Sequence, residues 1–480
     1  MNNRKLWIGF ILVIVISFGV LLYYGNEIYR KAPPVPEKIV TEDGELFLTQ
    51  QEIYDGQNIW QSIGGHQIGS VWGHGAYQAP DWTAEWLHKE AIFMLNQMAQ
   101  DTYGKSYKEL EERHQASLRA RLQGDIRTNT YNEETGTITI SSLRAKAFEH
   151  NSDHYRGLFM DRDTEAFREL REAYGIPPNT IKSEERMFKM NAFFFWATWA
   201  TVTERPGKDI TYTNNWPPED LVGNKPTSSL ILWTGFSVIL LLLGIGLLSW
   251  YYIAHSRDET KEKIPDENPL LSTRSTPSMK ATLKYFYIVS ALILVQILMG
   301  VITAHYGVEG HAFYGLPLAE IMPYSISRTW HVQLAIFWIA TSWLATGLYF
   351  APALSGKEPK GQKLGVNILF IALLIVVVGS LAGQWMGVMQ KLGLAENFWF
   401  GHMGYEYVDL GRFWQILLFV GLFLWLFLMG RAIMPALRQR NERRQLLLMF
   451  VVASIAIALF YGAALMWGQE TNLAVAEYWR

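Results

Sequence analysis

The sequence predicts a mainly α, polytopic helical membrane protein with an external N-terminal helical domain that contains a small hairpin. Two observations carry that class. Half of the 480 residues are hydrophobic, but unevenly so: stretches almost free of charge alternate with stretches as polar as a soluble domain. A bilayer core needs about 20 apolar residues per crossing. Lys and Arg also gather on every second linker between the apolar stretches, as cytoplasmic loops do. A net charge of −2 gives no basis for a nucleic-acid partner. The cysteine count of zero excludes disulfides, cysteine-held zinc, iron–sulfur clusters and covalent c-type haem.

Taken in order, Trp7 to Tyr24 is the first apolar run, preceded by Arg4 and Lys5. It reads as a retained anchor spanning residues 1–24, because no small-residue cleavage site follows Gly25. Residues 25–227 are polar and form the external domain. Thr49 and Glu52 make a capping box that starts one helix, and Asp81 heads another. Thr128 to Ser141 reads as the hairpin, with Gly136 in its turn. Glu149 to Gly175 is charged and mostly helical. Met190 to Val202 is apolar but short, and reads as a buried helix of the external domain. Were it a span, every later loop would change sides and the basic residues would fall outside.

Residues 228–480 form the membrane domain. Six further runs lie at 229–254, 282–304, 329–352, 364–388, 411–434 and 446–467. With the N-terminus inside, the inner loops carry Arg257, Lys261 and Lys263, then Lys357, Lys360 and Lys363, then Arg438, Arg440, Arg443 and Arg444. Seven spans result. Leu473 to Trp479 then begins an apolar helix behind Thr471 and Asn472, and it reads equally as a docked tail or as the start of an eighth span.

Three groups could carry chemistry. His331 lies just inside the outer end of the fourth span, where an ionisable group is costly and a neutral imidazole suits a haem. A histidine bonded to a neighbouring helix is the alternative. Arg328, one turn earlier, could pair with a haem propionate or simply reach the interface. His305, Glu309, His311 and Phe313 follow the third span. A His–carboxylate pair beside an aromatic ring could take protons from a quinol, or could be an ordinary polar loop. Glu406 and Asp409 stand three apart, could share one helix face, and could hold a hard cation or merely start a solvated helix.

Two strings are specific beyond chance composition: Gly64-Gly65-His66-Gln67-Ile68-Gly69-Ser70-Val71-Trp72-Gly73-His74-Gly75-Ala76-Tyr77, leading to Ala79-Pro80-Asp81-Trp82, and Tyr212-Thr213-Asn214-Asn215-Trp216-Pro217. With the residues above, they resemble the quinol-dependent nitric oxide reductases, relatives of the haem–copper oxidases, over essentially the whole chain. The resemblance implies that the external domain is cytochrome-c-like. Gly65, Ile68 and Gly69 stand where a haem-binding C-x-x-C-H would fall, so it implies a domain without haem and electrons drawn from membrane quinol. It implies that His331 is an axial ligand of a low-spin haem b, with Arg328 beside it. His305, Glu309 and Phe313 match the quinol pocket. Glu406, with the Gly75 and Tyr77 backbone, matches a site for calcium or water bridging the haem propionates.

The family reduces two NO to N₂O and water at a high-spin haem b paired with non-haem iron. The histidines and glutamate that bind those groups lie beyond the segment resembling Leu473–Arg480. The reading is therefore an N-terminal portion of such an enzyme, a multi-pass protein of a bacterial or archaeal cell membrane, inactive without the missing C-terminal half. The rival reading is a non-catalytic quinol- or haem-binding membrane protein derived from that family.

Overall fold

The computed structural model describes residues 4–160, 164–256, 266, 274–311, 315, 317–405, 408–439, 443–468 and 472–479. Seven of its helices are long and apolar enough to cross a membrane. The first, α1 (Arg4–Lys31), continues a turn and more past the apolar run before Pro33 and Pro34 end it.

The external part follows. β1 (Lys38–Thr41) and β2 (Leu46–Thr49) form an antiparallel hairpin around Gly44, which sits at φ +80°. The expected hairpin at Thr128–Ser141 is corrected here. Its turn does close, through a single antiparallel bridge from Asn132 to Thr137. The strand that leaves it, Thr137–Ile140, instead pairs in parallel with β1. The sheet order is therefore β2, β1 and then that strand.

α2 (Gln50–Ser62) starts on the Thr49–Glu52 capping box, as the sequence predicts. α3 (Gly65–Ile68) is a single turn, followed by the two-residue strands β3 (Ser70–Val71) and β4 (His74–Gly75). Asp81 caps α4 (Trp82–Tyr103), its Oδ1 accepting the Thr83 and Ala84 N–H groups at 3.0 Å. Its Oδ2 accepts from Ser70 Oγ at 2.8 Å and the Gly73 N–H at 2.7 Å, so one carboxylate ties the β3–β4 turn to the helix. α5 (Glu112–Arg127), β5 (Thr137–Ile140), α6 (Ser142–Phe159) and α7 (Glu165–Tyr174) lead to α8 (Glu184–Val202). Every residue of α8 from Met190 to Val202 is buried, so this apolar segment is core rather than span.

The membrane part holds α9 (Ser228–Ser256), α10 (Pro277–Glu309), the short α11 (Leu318–Ile321), α12 (Tyr324–Ser355), α13 (Gln362–Val388), α14 (Leu394–Phe400), α15 (Arg412–Arg438) and α16 (Arg443–Trp467). α10, α12, α13 and α15 share one apolar core. Indole and phenol groups stitch it through backbone carbonyls: Tyr285 Oη donates to Val366 at 2.7 Å, Trp425 Nε1 to Leu344 at 3.0 Å and Trp330 Nε1 to Leu381 at 3.2 Å. Such bonds between membrane helices contribute about 1 kcal/mol each.

α17 (Leu473–Trp479) packs back onto the external part. Leu473 and Ala476 join the core containing Trp60 and Phe193, and Asn472 Nδ2 donates to the Pro33 carbonyl at 2.7 Å. Asn472 Oδ1 caps the helix by accepting the Ala474 N–H at 3.0 Å, while Thr471 lies outside the described residues.

Candidate functional site

α10 and α12 cross closely because α10 offers Gly300. A Cβ there would lie 2.8 Å from His331 Cε1 and 2.9 Å from Nδ1, so the imidazole of α12 rests directly on the α10 backbone. Nδ1 is 2.9 Å from the Gln296 carbonyl oxygen. A carbonyl only accepts, so Nδ1 carries the proton and Nε2 keeps its lone pair. Among the described residues Nε2 has no hydrogen-bond partner. A metal-ligating histidine typically has this arrangement, one nitrogen fixed by a carbonyl and the other free to ligate. Gln296 serves twice, since its Oε1 accepts from Trp338 Nε1 at 2.9 Å.

One turn outward on the same helix, Arg328 Nη1 donates to Gln67 Oε1 of α3 in a short contact. The Gln67 Nε2 in turn donates to Asp409 Oδ2 at 2.6 Å and to the Tyr405 carbonyl at 2.9 Å. Asp409 is fully buried in the loop before α15. Of the two readings of this residue, the solvated helix start is corrected: α15 starts only at Arg412, Asp409 is buried, and the loop is pressed under the external part. Gly404 makes that possible, with φ +68° and a Cβ position 2.3 Å from Gln61 Cα. In the same loop His402 Nδ1 accepts the Gly404 N–H at 2.8 Å, so Nε2 carries hydrogen and donates to Thr329 Oγ1 at 2.8 Å. Burial pushes the His402 imidazole down to about 3, so it is neutral.

His305 and Glu309 are not in a loop, as the sequence reading has it, but on the last turns of α10. Nδ1 of the first lies 3.1 Å from Oε2 of the second, and both are partly exposed. His305 is five residues from Gly300, about 8 Å along the helix axis. His311 follows, its Nε2 buried and without a hydrogen bond. Burial lowers its pKa, with Glu172 acting against that shift. Glu172 of α7 lies over Gly310, where a Cβ would meet its Oε1 at 2.0 Å. Gln78 Oε1 lies 3.4 Å from a Cβ position on Gly307, an ordinary contact. The structure thus pairs His305 with Glu309 on the last turns of α10 and sets His311, just beyond them, near Glu172 of the external part. Phe313 lies outside the described residues, as does Glu406.

Gly75 sits at φ +137°, and a Cβ there would meet the Gly69 carbonyl at 2.5 Å. The Tyr77 side chain is exposed. Among the described residues no three His, Asp or Glu side chains converge as metal ligands would.

The external core is filled with rings. A Cβ on Gly65 would lie 2.5 Å from Trp60 Cε2, and one on Gly69 2.5 Å from Trp82 Nε1. Trp82 stacks on Phe194 with centroids 5.9 Å apart, and Trp86 on Tyr155 at 5.2 Å. All five of these aromatic side chains, Trp60 included, are fully buried. His66 lies against this cluster with neither ring nitrogen hydrogen-bonded, and Glu477 Oε1 stands 3.3 Å from its Nδ1. Burial, assisted by His74, pushes its pKa down to about 3.

Sequence reasoning missed Gln67, Gln296, Gly300 and His402. The signals were a glutamine inside a Gly-rich string, a lone amide and a glycine inside an apolar run, and a histidine between two glycines.

Residues 280–478 match the family described as Cytochrome C and Quinol oxidase polypeptide I, which makes the membrane half one of the haem–copper oxidase type. Residues 36–218 match the family of the cytochrome c-like domain of NorB, a nitric oxide reductase subunit. Following one another along one sequence, the two matches support a NorB-type nitric oxide reductase large subunit. No curated protein matches the chain.

Proposed function

We propose that this chain forms the electron-entry part of a nitric oxide reductase that oxidises membrane quinol. The observation that carries the reading is the His331 imidazole, proton fixed on Nδ1 by the Gln296 carbonyl and Nε2 left free. These residues would suit a haem b: His331 would supply one ligand through Nε2, and Arg328, one turn outward on the same helix, would offer a cation to its carboxylates. When bound, that haem would accept electrons one at a time. The chain's own residues do the rest. His305 and Glu309 take the two protons that a quinol must lose with its two electrons. The short axial offset between His305 and Gly300 keeps that oxidation close to His331.

The external domain, taken as residues 25–227, carries no haem in this reading, and the rings of Trp60 and Trp82 against Gly65 and Gly69 support it. The segment 1–24 serves as its anchor, with the N-terminus cytoplasmic and the domain outside. Glu406 with the Gly75 and Tyr77 backbone would hold calcium or water between the two halves.

The test is optical. In the haem-loaded protein extracted from membranes, His331→Ala removes the low-spin haem spectrum. An unchanged low-spin spectrum rejects the assignment.

A further inference from the structure

We propose that Gln67 of the external domain is a positioning residue that holds Arg328, and that the haem-free domain thereby sets the redox potential of a cofactor it does not carry. The proposal rests on the reading of His331 as a haem ligand.

The geometry is specific to a glutamine. One side chain accepts from Arg328 through Oε1 and donates through Nε2 to Asp409 Oδ2 at 2.6 Å and to the Tyr405 carbonyl at 2.9 Å. A glutamate could hold the arginine but would face the Asp409 carboxylate with no hydrogen to give. A leucine or methionine would fill the volume and hold neither partner. Gln67 is fully buried, so water cannot substitute for it.

Arg328 precedes His331 by three residues and so lies on the same helix face, one turn nearer the outside. Gln67 therefore fixes the cation adjacent to the ligand. The grip is double: the next residue, Thr329, is held through its Oγ1 by His402 at 2.8 Å. Both grips come from segments outside the spans, and glycines let those segments close. Gly64 leaves room for Ser325, where a Cβ would lie 2.9 Å from Cβ of that serine, and Gly404 leaves room for Gln61. A positive charge held in a fixed, partly buried position favours the reduced, less positive state of a nearby redox centre more strongly than one free to swing into water.

The experiment is a spectroelectrochemical titration of the low-spin haem in the haem-loaded protein. Gln67→Met is expected to lower its midpoint by about 59 mV, the equivalent of a tenfold change in a one-electron equilibrium. Arg328→Leu lowers it too, and Gln67→Met added to Arg328→Leu lowers it no further. Gln67→Asn, which withdraws the amide by one methylene, shows the same non-additivity and serves if the methionine variant does not accumulate. An unchanged midpoint in the Gln67 variants overturns the proposal, and so does full additivity with Arg328→Leu. Failure of the underlying reading looks different: His331→Ala would then leave the low-spin spectrum in place.

Discussion

Gly300→Ala tests the proposed haem site without replacing His331. The added methyl would lie 2.8 Å from His331 Cε1 and 2.9 Å from Nδ1, whereas ordinary contact begins near 3.4 Å. The ring must therefore retreat by about half an ångström, or α10 and α12 must separate. Overpacking of this kind costs about 1–3 kcal/mol. Retreat also breaks the 2.9 Å bond from Nδ1 to the Gln296 carbonyl, which fixes the tautomer. Loss of such an outer partner lowers ligand affinity by about 10–100-fold. The variant should keep its fold, read as an unchanged far-UV spectrum, and lose haem on dilution or on competition with an apo-haem acceptor. Gly244→Ala is the control, because a Cβ there meets nothing within 4 Å. Equal haem retention and an identical low-spin band in Gly300→Ala would falsify the idea that His331 ligates from its present position.

His305→Ala or Glu309→Ala should slow turnover with quinol by about 10²–10⁴-fold, and far less with an artificial donor that bypasses the pocket; equal losses would make the pair structural. Gly69→Ala should destabilise the external domain by about 1–3 kcal/mol, seen as a lower melting temperature by tryptophan fluorescence, since its Cβ would lie 2.5 Å from Trp82 Nε1 and 2.6 Å from the Pro80 carbonyl. Acid should unfold the protein through His66 and His402. Both stay neutral when folded, with pKa values near 3 against 6.5 when exposed, so the unfolded state binds more protons below pH 6.5. Stability then falls as pH drops from about 6.5 toward 3, by about 1 kcal/mol per pH unit for each histidine. His66→Phe should reduce the slope of melting temperature against pH in that window, and an unaltered slope counts against a buried neutral His66.

What could be read from the sequence was what lipid and local chemistry impose. Spans need unbroken apolar runs, so seven of them stand out, and charge placement keeps Met190–Val202 among the core helices. Caps are local, so Thr49 and Asp81 mark helix starts correctly. Pairings between distant segments leave no such trace. Thr137–Ile140 takes a partner about a hundred residues upstream, and nothing in its own alternation says that the partner is Lys38–Thr41. Asp409 looks solvated because acids near a helix start usually are. Its burial is decided by Gly404 and Gly411, which let their loop press against Gln61 and Phe400. The same reasoning explains which parts of the candidate site stayed hidden. An ionisable residue inside a span announces itself by its cost, so His331 and Arg328 were visible. The neutral groups that aim them, Gln67, Gln296 and Gly300, cost nothing until the helices meet. A glutamine in a glycine-rich string looks like a turn, and becomes a clamp only when α3, α12 and the loop before α15 converge on it. The residues that tune a buried site are thus the ones a single sequence conceals best, because their role is set by three chain segments at once.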